Sequence, residues 1–263
     1  VSPEQQQQLT CWGDNVRAFA VRGTFDDCQR VLKQALGQPG SLGNRSLTTA
    51  NSINIARLLP QVVYYAAAAL HHNRHHGGPP TFVVPAGNVG NATAALWAKH
   101  MDFPVGHVVM VSNANRTVPD YLSTGSWQPR PSVRTLANAM DVGDPSNMER
   151  VFHLYPTADS LREDVSSFAV EDAAIQQVIA GAPERWGRVL DPHTATAVHV
   201  VETQPLSLPV VVSTAHPAKF RGIVEPLVGR PVEVPEALLR IQERPTHFVE
   251  IEPEVDALRR ALG

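Results

Sequence analysis

A seven-residue segment with two glycines, Pro85–Asn91 (PAGNVGN), has the residue types of an anion-binding turn. The apolar run Thr81–Val84 precedes it and predicts a buried strand, and helix-forming residues follow it, with Asn91 as the expected N-cap. The first N–H groups of a helix are unpaired and carry partial positive charge, and glycines let the backbone approach phosphate oxygens closely. The segment lacks both the G-x-G-x-x-G spacing and a following Gly-Lys-Ser/Thr. It therefore indicates either a phosphate cradle or an ordinary strand–turn–helix junction.

The composition is that of a globular chain without a nucleic-acid or membrane partner. The 263 residues carry a net charge of −3, so any phosphate affinity must come from a local site. No apolar run reaches the length of a membrane span, and no signal peptide is recognisable. The two cysteines, Cys11 and Cys28, have neither disulfide nor metal-ligand spacing. We expect free thiols in a reducing cytoplasm, and Val1 has the appearance of an arbitrary start.

Four histidines stand close together in the segment 71–76 and raise the question of a metal site. No acidic or sulfur-bearing residue converges on them in the sequence. A solvated or adventitious cluster in a surface loop, His71–Pro80, is the preferred interpretation, and we predict no metal.

Strand-like and helix-like segments alternate along the chain, which predicts an α/β fold with parallel strands covered on both faces. Ser2 and Pro3 predict the start of a helix. The last segment, 235–263, predicts two weak helices. The further predicted segments are a strand at Val16–Val21, a helix at Phe25–Leu36 with Asp26 and Asp27 at its N-terminus, a helix at Ile55–Leu70 interrupted at Pro60, a strand at Val105–Val111, a helix starting at Val118–Leu122, an irregular stretch at Pro129–Asp144, a helix at Glu171–Ile179, and strand-like or helix-flanking runs at Val198–Glu202 and Leu208–Val212.

Several segments, taken in their order along the chain, resemble those of the threonine synthases, a family of pyridoxal-phosphate enzymes of fold type II. The similarity covers nearly the whole chain and is greatest to the bacterial and fungal branch. The segments that carry it are Gly23–Gln29, Asn51–Arg57, Pro85–Asn91, Asn138–Asp141, Asp191–Ala195 and Thr214–Phe220.

The resemblance implies a fold-type II architecture, with a mostly parallel sheet flanked by helices and an N-terminal part missing from this chain. Residues 1–50 would be the remnant of a small α/β domain. Residues 51–263 would form the large pyridoxal-phosphate-binding domain with a C-terminal extension.

The resemblance also assigns cofactor-binding roles. The turn formed by Gly87, Asn88, Val89, Gly90 and Asn91 would hold the phosphate of pyridoxal 5'-phosphate through backbone N–H groups. Thr214 would donate or accept a hydrogen bond at the pyridine nitrogen. A hydroxyl is a neutral partner, so it does not force that nitrogen to be protonated, as a carboxylate would.

A second anion site is implied for the substrate, at Asn51, Ser52 and Arg57. The guanidinium of Arg57 suits a phosphate because its planar fork pairs two oxygens at once. The implied reaction converts O-phosphohomoserine and water to threonine and phosphate, the last step of threonine biosynthesis. The implied assembly is a monomer or a homodimer.

The chain departs from the family in lacking the lysine that forms a Schiff base with the cofactor. Its three lysines, Lys33, Lys99 and Lys219, all stand outside the required sequence context. No residue of this chain is therefore assigned as catalytic, and the lysine is expected upstream. The family's Ser-Gly-Asp-Thr-Gly loop is also absent.

Two other interpretations stay open. The chain could be a catalytically dead relative that serves as a ligand-binding module, since such a protein would lack the lysine. It could also belong to another fold-type II lyase, such as a dehydratase. The roles of His193 and His216 are open as well, because either histidine can be a core residue.

Overall fold

The computed structural model describes residues 3–13 and 15–263, so the predicted N-cap Ser2 lies outside the described residues. The chain divides into two compact units, one built from residues up to 49 together with 233–263 and one from residues 50–232. The helices are α1 Pro3–Thr10, α2 Phe25–Gly37, α3 Ile55–His76, α4 Gly90–His100, α5 Thr117–Thr124, α6 Met148–Leu154, α7 Ala158–Asp164, α8 Asp172–Trp186, α9 Pro192–Thr203, α10 Arg221–Val228, α11 Glu236–Gln242 and α12 Val255–Leu262. The strands are β1 Phe19–Val21, β2 Thr81–Pro85, β3 Val108–Ser112, β4 Val165–Ala169, β5 Pro209–Val211 and β6 Val249–Ile251.

The first unit is held together by strands from opposite ends of the sequence. β1 and β6 pair in parallel, with Phe19 opposite Val249 and Val21 opposite Ile251. α1 packs against α11, and α2 packs against α12. Residues 233–263 are thus grouped with the N-terminal residues, whereas the sequence analysis assigned them to the large domain. Strand β6, which makes this connection, has only three residues and is largely exposed, and the sequence analysis predicted no strand there.

Helix α2 begins with a capping box, in which Thr24 is the N-cap and Asp27 is the third helical residue. The Thr24 side chain accepts from the Asp27 N–H at 3.3 Å, and the Asp27 carboxylate accepts from the Thr24 N–H at 2.9 Å. The prediction that the acidic pair caps this helix is confirmed for Asp27.

The second unit contains a four-stranded parallel sheet in the order β4–β3–β2–β5. All five residues of β2 and all five of β3 are buried. Phe82 and Val84 belong to the apolar core with α3 and α4, so Val83, equally buried, faces the other side. Helix α9 packs against β2, β3 and β5. The predicted parallel sheet covered on both faces is confirmed.

Helix α3 is longer than predicted. It runs to His76 and ends at Gly77, which adopts the left-handed conformation typical of a helix C-cap. The predicted surface loop at His71–Pro80 is therefore wrong for its first six residues. The histidines are helical because rings four residues apart pack together, His71 on His75 at 4.4 Å and His72 on His76 at 4.5 Å between ring centroids.

Other boundaries also differ from the predictions. α4 begins at Gly90 with Val89 as its N-cap, so the prediction of Asn91 at that position is wrong. The run Val198–Glu202 lies inside α9 and is not a strand. Pro60 lies within α3 without ending it. α6, α7 and β4 have no counterpart among the predicted segments.

None of the helices in the described ranges is both long and apolar enough to cross a bilayer.

Lys99, Tyr155 and Asp164 form a partly buried ion cluster that joins α4 to α7. Lys99 Nζ lies 3.0 Å from Asp164 Oδ1 and donates to the Gly106 carbonyl at 2.5 Å, while the Tyr155 hydroxyl donates to Asp164 Oδ2 at 2.7 Å. Burial raises the pKa of Asp164, but the hydrogen bonds from Tyr155 and Lys99 outweigh it and hold that pKa below its ordinary value. Burial and the neighbouring Asp164 carboxylate raise the pKa of Tyr155.

This cluster predicts how stability depends on pH. Because the pKa of Asp164 is lowered in the folded state, its contribution is complete above about pH 4 and is lost as the pH falls through the lower folded value. Asp164→Asn should lower stability at neutral pH and flatten the loss of stability below about pH 4. Urea unfolding at a series of pH values measures both. Asp159→Asn, on the same helix, is the control and should change both far less, because the Asp159 carboxylate that pairs with Arg162 is 90% exposed.

Candidate anion-binding site

The turn between β2 and α4 is held in an unusual backbone conformation. Val89 has φ 63° and ψ −2°, in the left-handed region, and its side chain is 2% exposed. A β-branched residue there is an outlier, so the surrounding structure must impose it. The Thr93 N–H donates to the Val89 carbonyl at 2.9 Å and closes the first turn of α4. The geometry therefore depends on tertiary contacts rather than on local preference.

Two glycines of the turn are in close contact with neighbouring segments. A Cβ at position 87 would lie 2.7 Å from Met140 Cα and 3.0 Å from the Ala139 carbonyl oxygen. A Cβ at position 90 would lie 3.3 Å from Asn147 Nδ2 and from Ser52 Cβ. Backbone atoms thus occupy the space that a side chain would need at position 87.

The N–H groups of this turn are not used by the fold. Within the part of the chain that the structure describes, none of the backbone N–H groups of residues 87–92 donates a hydrogen bond. Three of them belong to the first turn of α4, where the helix dipole adds partial positive charge. Because Val89 and Gly90 are buried, unpaired donors there are costly without a ligand. The arrangement is suited to an anion.

The turn lines a cavity of about 230 Å³. Its other walls include Ser52, in the segment that leads into α3, and Arg57 and Gln61, in the first turns of α3 itself. The structure therefore brings two of the three predicted substrate residues into one cavity with the predicted cofactor turn, and Ser52 lies directly beside the turn rather than across from it.

Ser52 is connected to the turn by carboxamides. Asn88 Nδ2 donates to Ser52 Oγ at 2.8 Å, and Asn147 Nδ2 donates to the same oxygen at 3.0 Å. Asn147 Nδ2 also donates to the Asn88 carbonyl at 3.0 Å. Asn51 is part of the same segment, and its Oδ1 accepts from the Ile53 N–H at 3.1 Å. These bonds hold the entry to α3 and the turn in one geometry.

The sequence analysis missed the third segment of this network. Asn88 Oδ1 accepts from both the N–H and the hydroxyl of Ser146, at 2.7 and 3.0 Å. Asn147 is fully buried, and its Oδ1 accepts from Arg150, which also donates to the Ile53 carbonyl at 2.6 Å. The available signal was a run of polar residues after Gly-Asp-Pro, but such a run equally describes a solvated loop.

Arg57 is exposed and lines the cavity, and its guanidinium makes no hydrogen bond or ion pair with any described residue. Nearby, Asn91 Oδ1 accepts from the hydroxyl of Tyr65 and lies 3.1 Å from that of Tyr64. Burial raises the pKa of both tyrosines, so they stay neutral donors. Arg57 is thus a cation at the cavity with no charge partner in the described chain.

Thr214 is exposed and follows β5 by three residues. β5 pairs with β2, with Val83 opposite Val211, and the Val212 N–H donates to the Val83 carbonyl. Thr214 therefore lies at the same carboxyl edge of the sheet as the turn, although it is not among the described residues that line the cavity.

Asp141 anchors the segment that packs on Gly87. Its Oδ1 accepts from Asn113 Nδ2 at 2.8 Å and from the Thr135 hydroxyl at 2.7 Å. Burial raises the pKa of Asp141 and outweighs the hydrogen bonds from Thr135 and Asn113, which lower it. The segment 138–141, matched in the sequence analysis, is thus part of the wall behind the turn.

Comparison with known proteins identifies the family. A family model described as "Pyridoxal-phosphate dependent enzyme" matches residues 1–213. The chain belongs to this family. A second model, "Threonine synthase, C-terminal", matches residues 194–262.

Several similar proteins are threonine synthases. Those of Haemophilus influenzae and Escherichia coli are 36% and 34% identical over 100% of this chain. The Escherichia coli threonine synthase structure has a TM-score of 0.88 over 99% of this chain. The structure of PLP-bound threonine synthase from Brucella melitensis has a TM-score of 0.86 and 30% identity. The chain spans about 61–62% of the length of these relatives.

Among the described residues, no three His, Cys, Asp or Glu side chains are grouped so that they could hold a metal ion.

The close packing at Gly87 makes a testable prediction. Gly87→Ala should lower the free energy of unfolding by about 1–3 kcal/mol, because the added methyl meets backbone atoms that can only shift together. Thermal or urea unfolding measures the change. Gly222→Ala in α10 is the control, because a Cβ there meets nothing within 4 Å. Equal stability of the two variants would contradict the packing at residue 87.

Proposed function

We propose that this chain binds pyridoxal 5'-phosphate and is part of a threonine synthase, a lyase that converts O-phosphohomoserine and water to threonine and phosphate. The observation that carries the proposal is the turn of residues 87–92, which offers unpaired N–H groups at a helix N-terminus. It occurs in a chain that belongs to a family of pyridoxal-phosphate enzymes. The similarity to threonine synthases over the whole chain supports the reaction.

The cofactor phosphate would bind to the turn formed by Gly87, Asn88, Val89, Gly90 and Asn91. The residues fit this group because the backbone donors of the turn are unpaired and three of them lie at the N-terminus of α4. When bound, the cofactor supplies an electron sink for a carbanion at the substrate Cα. The chain's own contribution is to hold and orient it.

Thr214 is proposed as the hydroxyl partner of the pyridine nitrogen. Its place in the sheet supports this role. The chain leaves β2 through α4, which packs with α3, whereas after β5 it continues into α10, which packs against α8 on the α9 side. The connections that follow the neighbouring strands β2 and β5 therefore run to opposite faces of the sheet, which opens a crevice between them. Ligands of open α/β sheets bind in a crevice of this kind.

Arg57 is proposed to bind the substrate phosphate, with Asn51 and Ser52 as its neighbours. The unpartnered guanidinium supports this, because it can give an anion two parallel hydrogen bonds. Both amides that donate to Ser52 Oγ belong to the scaffold, so Ser52 chiefly aligns the two anion sites.

We propose that the lysine of the Schiff base is supplied outside this chain. Lys99 is engaged at the far end of α4, where it contacts Asp164 and Gly106. Lys33 is exposed on α2, and Lys219 lies in the short 3-10 helix Pro217–Phe220. None of the three is among the residues that line the cavity. The same observation favours the second candidate, a catalytically dead ligand-binding module. The cofactor-binding domain proposed here corresponds to residues 50–232.

The placement of the lysines predicts the outcome of a trapping experiment. Incubation of this chain with pyridoxal phosphate and then borohydride should give no stoichiometric adduct at a single lysine, because no lysine reaches the cavity. Intact-mass and peptide mass spectrometry measure this. The full-length protein, treated alike, should carry one adduct at an upstream lysine. A single stoichiometric adduct at Lys33, Lys99 or Lys219 would contradict the proposal, and no adduct in the full-length protein would favour the inactive module.

A second prediction separates the two anion sites. In the full-length protein, Arg57→Ala should raise KM for O-phosphohomoserine at least tenfold, since a hydrogen bond to a charged group contributes about 1.5–3 kcal/mol. Pyridoxal phosphate should stay bound, as its absorption spectrum reports. Arg57→Lys should recover part of the loss, because an ammonium cannot form the planar fork.

Arg74→Ala, at the exposed end of the same helix, is the matched control and should leave KM unchanged. Release of the cofactor by Arg57→Ala with unchanged substrate affinity would show that the two sites are assigned in reverse.

A further inference from the structure

His193 is a buried histidine with both ring nitrogens engaged. Its side chain lies at the start of α9, and the residue is 3% exposed. Nε2 lies 3.1 Å from the backbone nitrogen of Ala139, which can only donate, so Nε2 is the acceptor. Nδ1 lies 3.0 Å from Asp191 Oδ1, to which it donates its proton. The two contacts select one neutral tautomer.

Asp191 is itself fixed. It is 1% exposed and is the N-cap of α9, where its Oδ1 also accepts the N–H groups of His193 at 2.9 Å and Thr194 at 3.3 Å. Its Oδ2 accepts from the Thr194 hydroxyl. The His193 ring packs on Phe220, with 4.8 Å between centroids. The imidazole therefore has one position and one orientation.

The acceptor end of this imidazole contacts the wall behind the phosphate turn. Ala139 gives its N–H to His193, and its carbonyl oxygen, with Met140 Cα, fills the space beside Gly87. One rigid path thus leads from α9 through residues 139–140 to Gly87. Asp141 holds the other end of the same segment through Thr135 and Asn113.

We propose that His193 is a positioning residue for cofactor binding. By accepting the Ala139 N–H, it holds residues 139–140 in contact with Gly87 and so fixes the conformation of the phosphate turn. The proposal rests on the proposed function, because it takes the anion at the turn to be the cofactor phosphate. It requires an acceptor at the position of Nε2 and not an imidazole as such.

Two variants of the full-length protein separate this role from simple packing. His193→Phe keeps a ring against Phe220 but removes the acceptor, whereas His193→Gln places an amide oxygen where Nε2 lies. The readout is the dissociation constant of the apoprotein for pyridoxal phosphate and for pyridoxal, which lacks the phosphate. His193→Phe should lose roughly tenfold in affinity for pyridoxal phosphate, about 1.4 kcal/mol, with little change for pyridoxal. His193→Gln should stay near the wild type.

The ³¹P resonance of the bound cofactor gives a readout independent of activity, and it should shift in His193→Phe and return toward the wild type in His193→Gln. If His193→Phe does not fold, His193→Leu removes the acceptor with a smaller apolar side chain. It should show the same selective loss.

The contrary outcomes are distinct. Equal losses for both ligands, or no loss in His193→Phe, would overturn the positioning role while leaving the proposed function intact. A wild-type apoprotein that binds pyridoxal phosphate no better than pyridoxal would overturn the phosphate turn, and the inference with it.

Discussion

The unpaired backbone N–H groups of residues 87–92 are the constraint on which the second unit depends. Buried donors without partners destabilise a fold, so a chain keeps them only if the neighbouring structure holds them in place. The same groups stabilise an anion at no further reorganisation cost, because they are already oriented. The proposed phosphate site and the strained turn are therefore one feature, and the surrounding contacts serve to maintain it.

Three walls maintain the turn, and each uses a different interaction. Packing of α3 on α4 buries the helix that follows the turn. The carboxamides of Asn88 and Asn147 join the turn to the entry of α3 through hydrogen bonds. Residues 139–140 press on Gly87 by direct backbone contact, and Val89 is forced into the left-handed region between these walls. Because no wall is local in sequence, the turn forms only when the whole unit has folded.

This explains how much of the site the sequence could predict. The buried strands β2 and β3 were predictable because their apolar runs are continuous, and the turn because glycine and a helix start mark it. The N-cap was misassigned to Asn91, since a buried valine in the left-handed region has no local signal. Asn147 was missed because its burial comes from segments 59 and 95 residues away in sequence. The helical histidines of α3 were missed for a local reason, since weak helix formers just before Gly77-Gly78-Pro79-Pro80 are equally typical of a loop.

Under the proposed function, the distribution of charge accounts for two phosphates being held in different ways. The turn offers backbone donors and a helix dipole but no cationic side chain, so it would hold the cofactor phosphate through many weak, fixed dipoles. Arg57 is exposed to solvent, and no carboxylate among the described residues competes for its charge. A fixed set of dipoles suits a cofactor that must not leave with the product. A single exposed guanidinium suits a phosphate that arrives with the substrate and must depart after each turnover, because tight burial of that ion would make its release slow. The separation of backbone donors from the side-chain cation thus matches a site where one phosphate stays and the other is expelled.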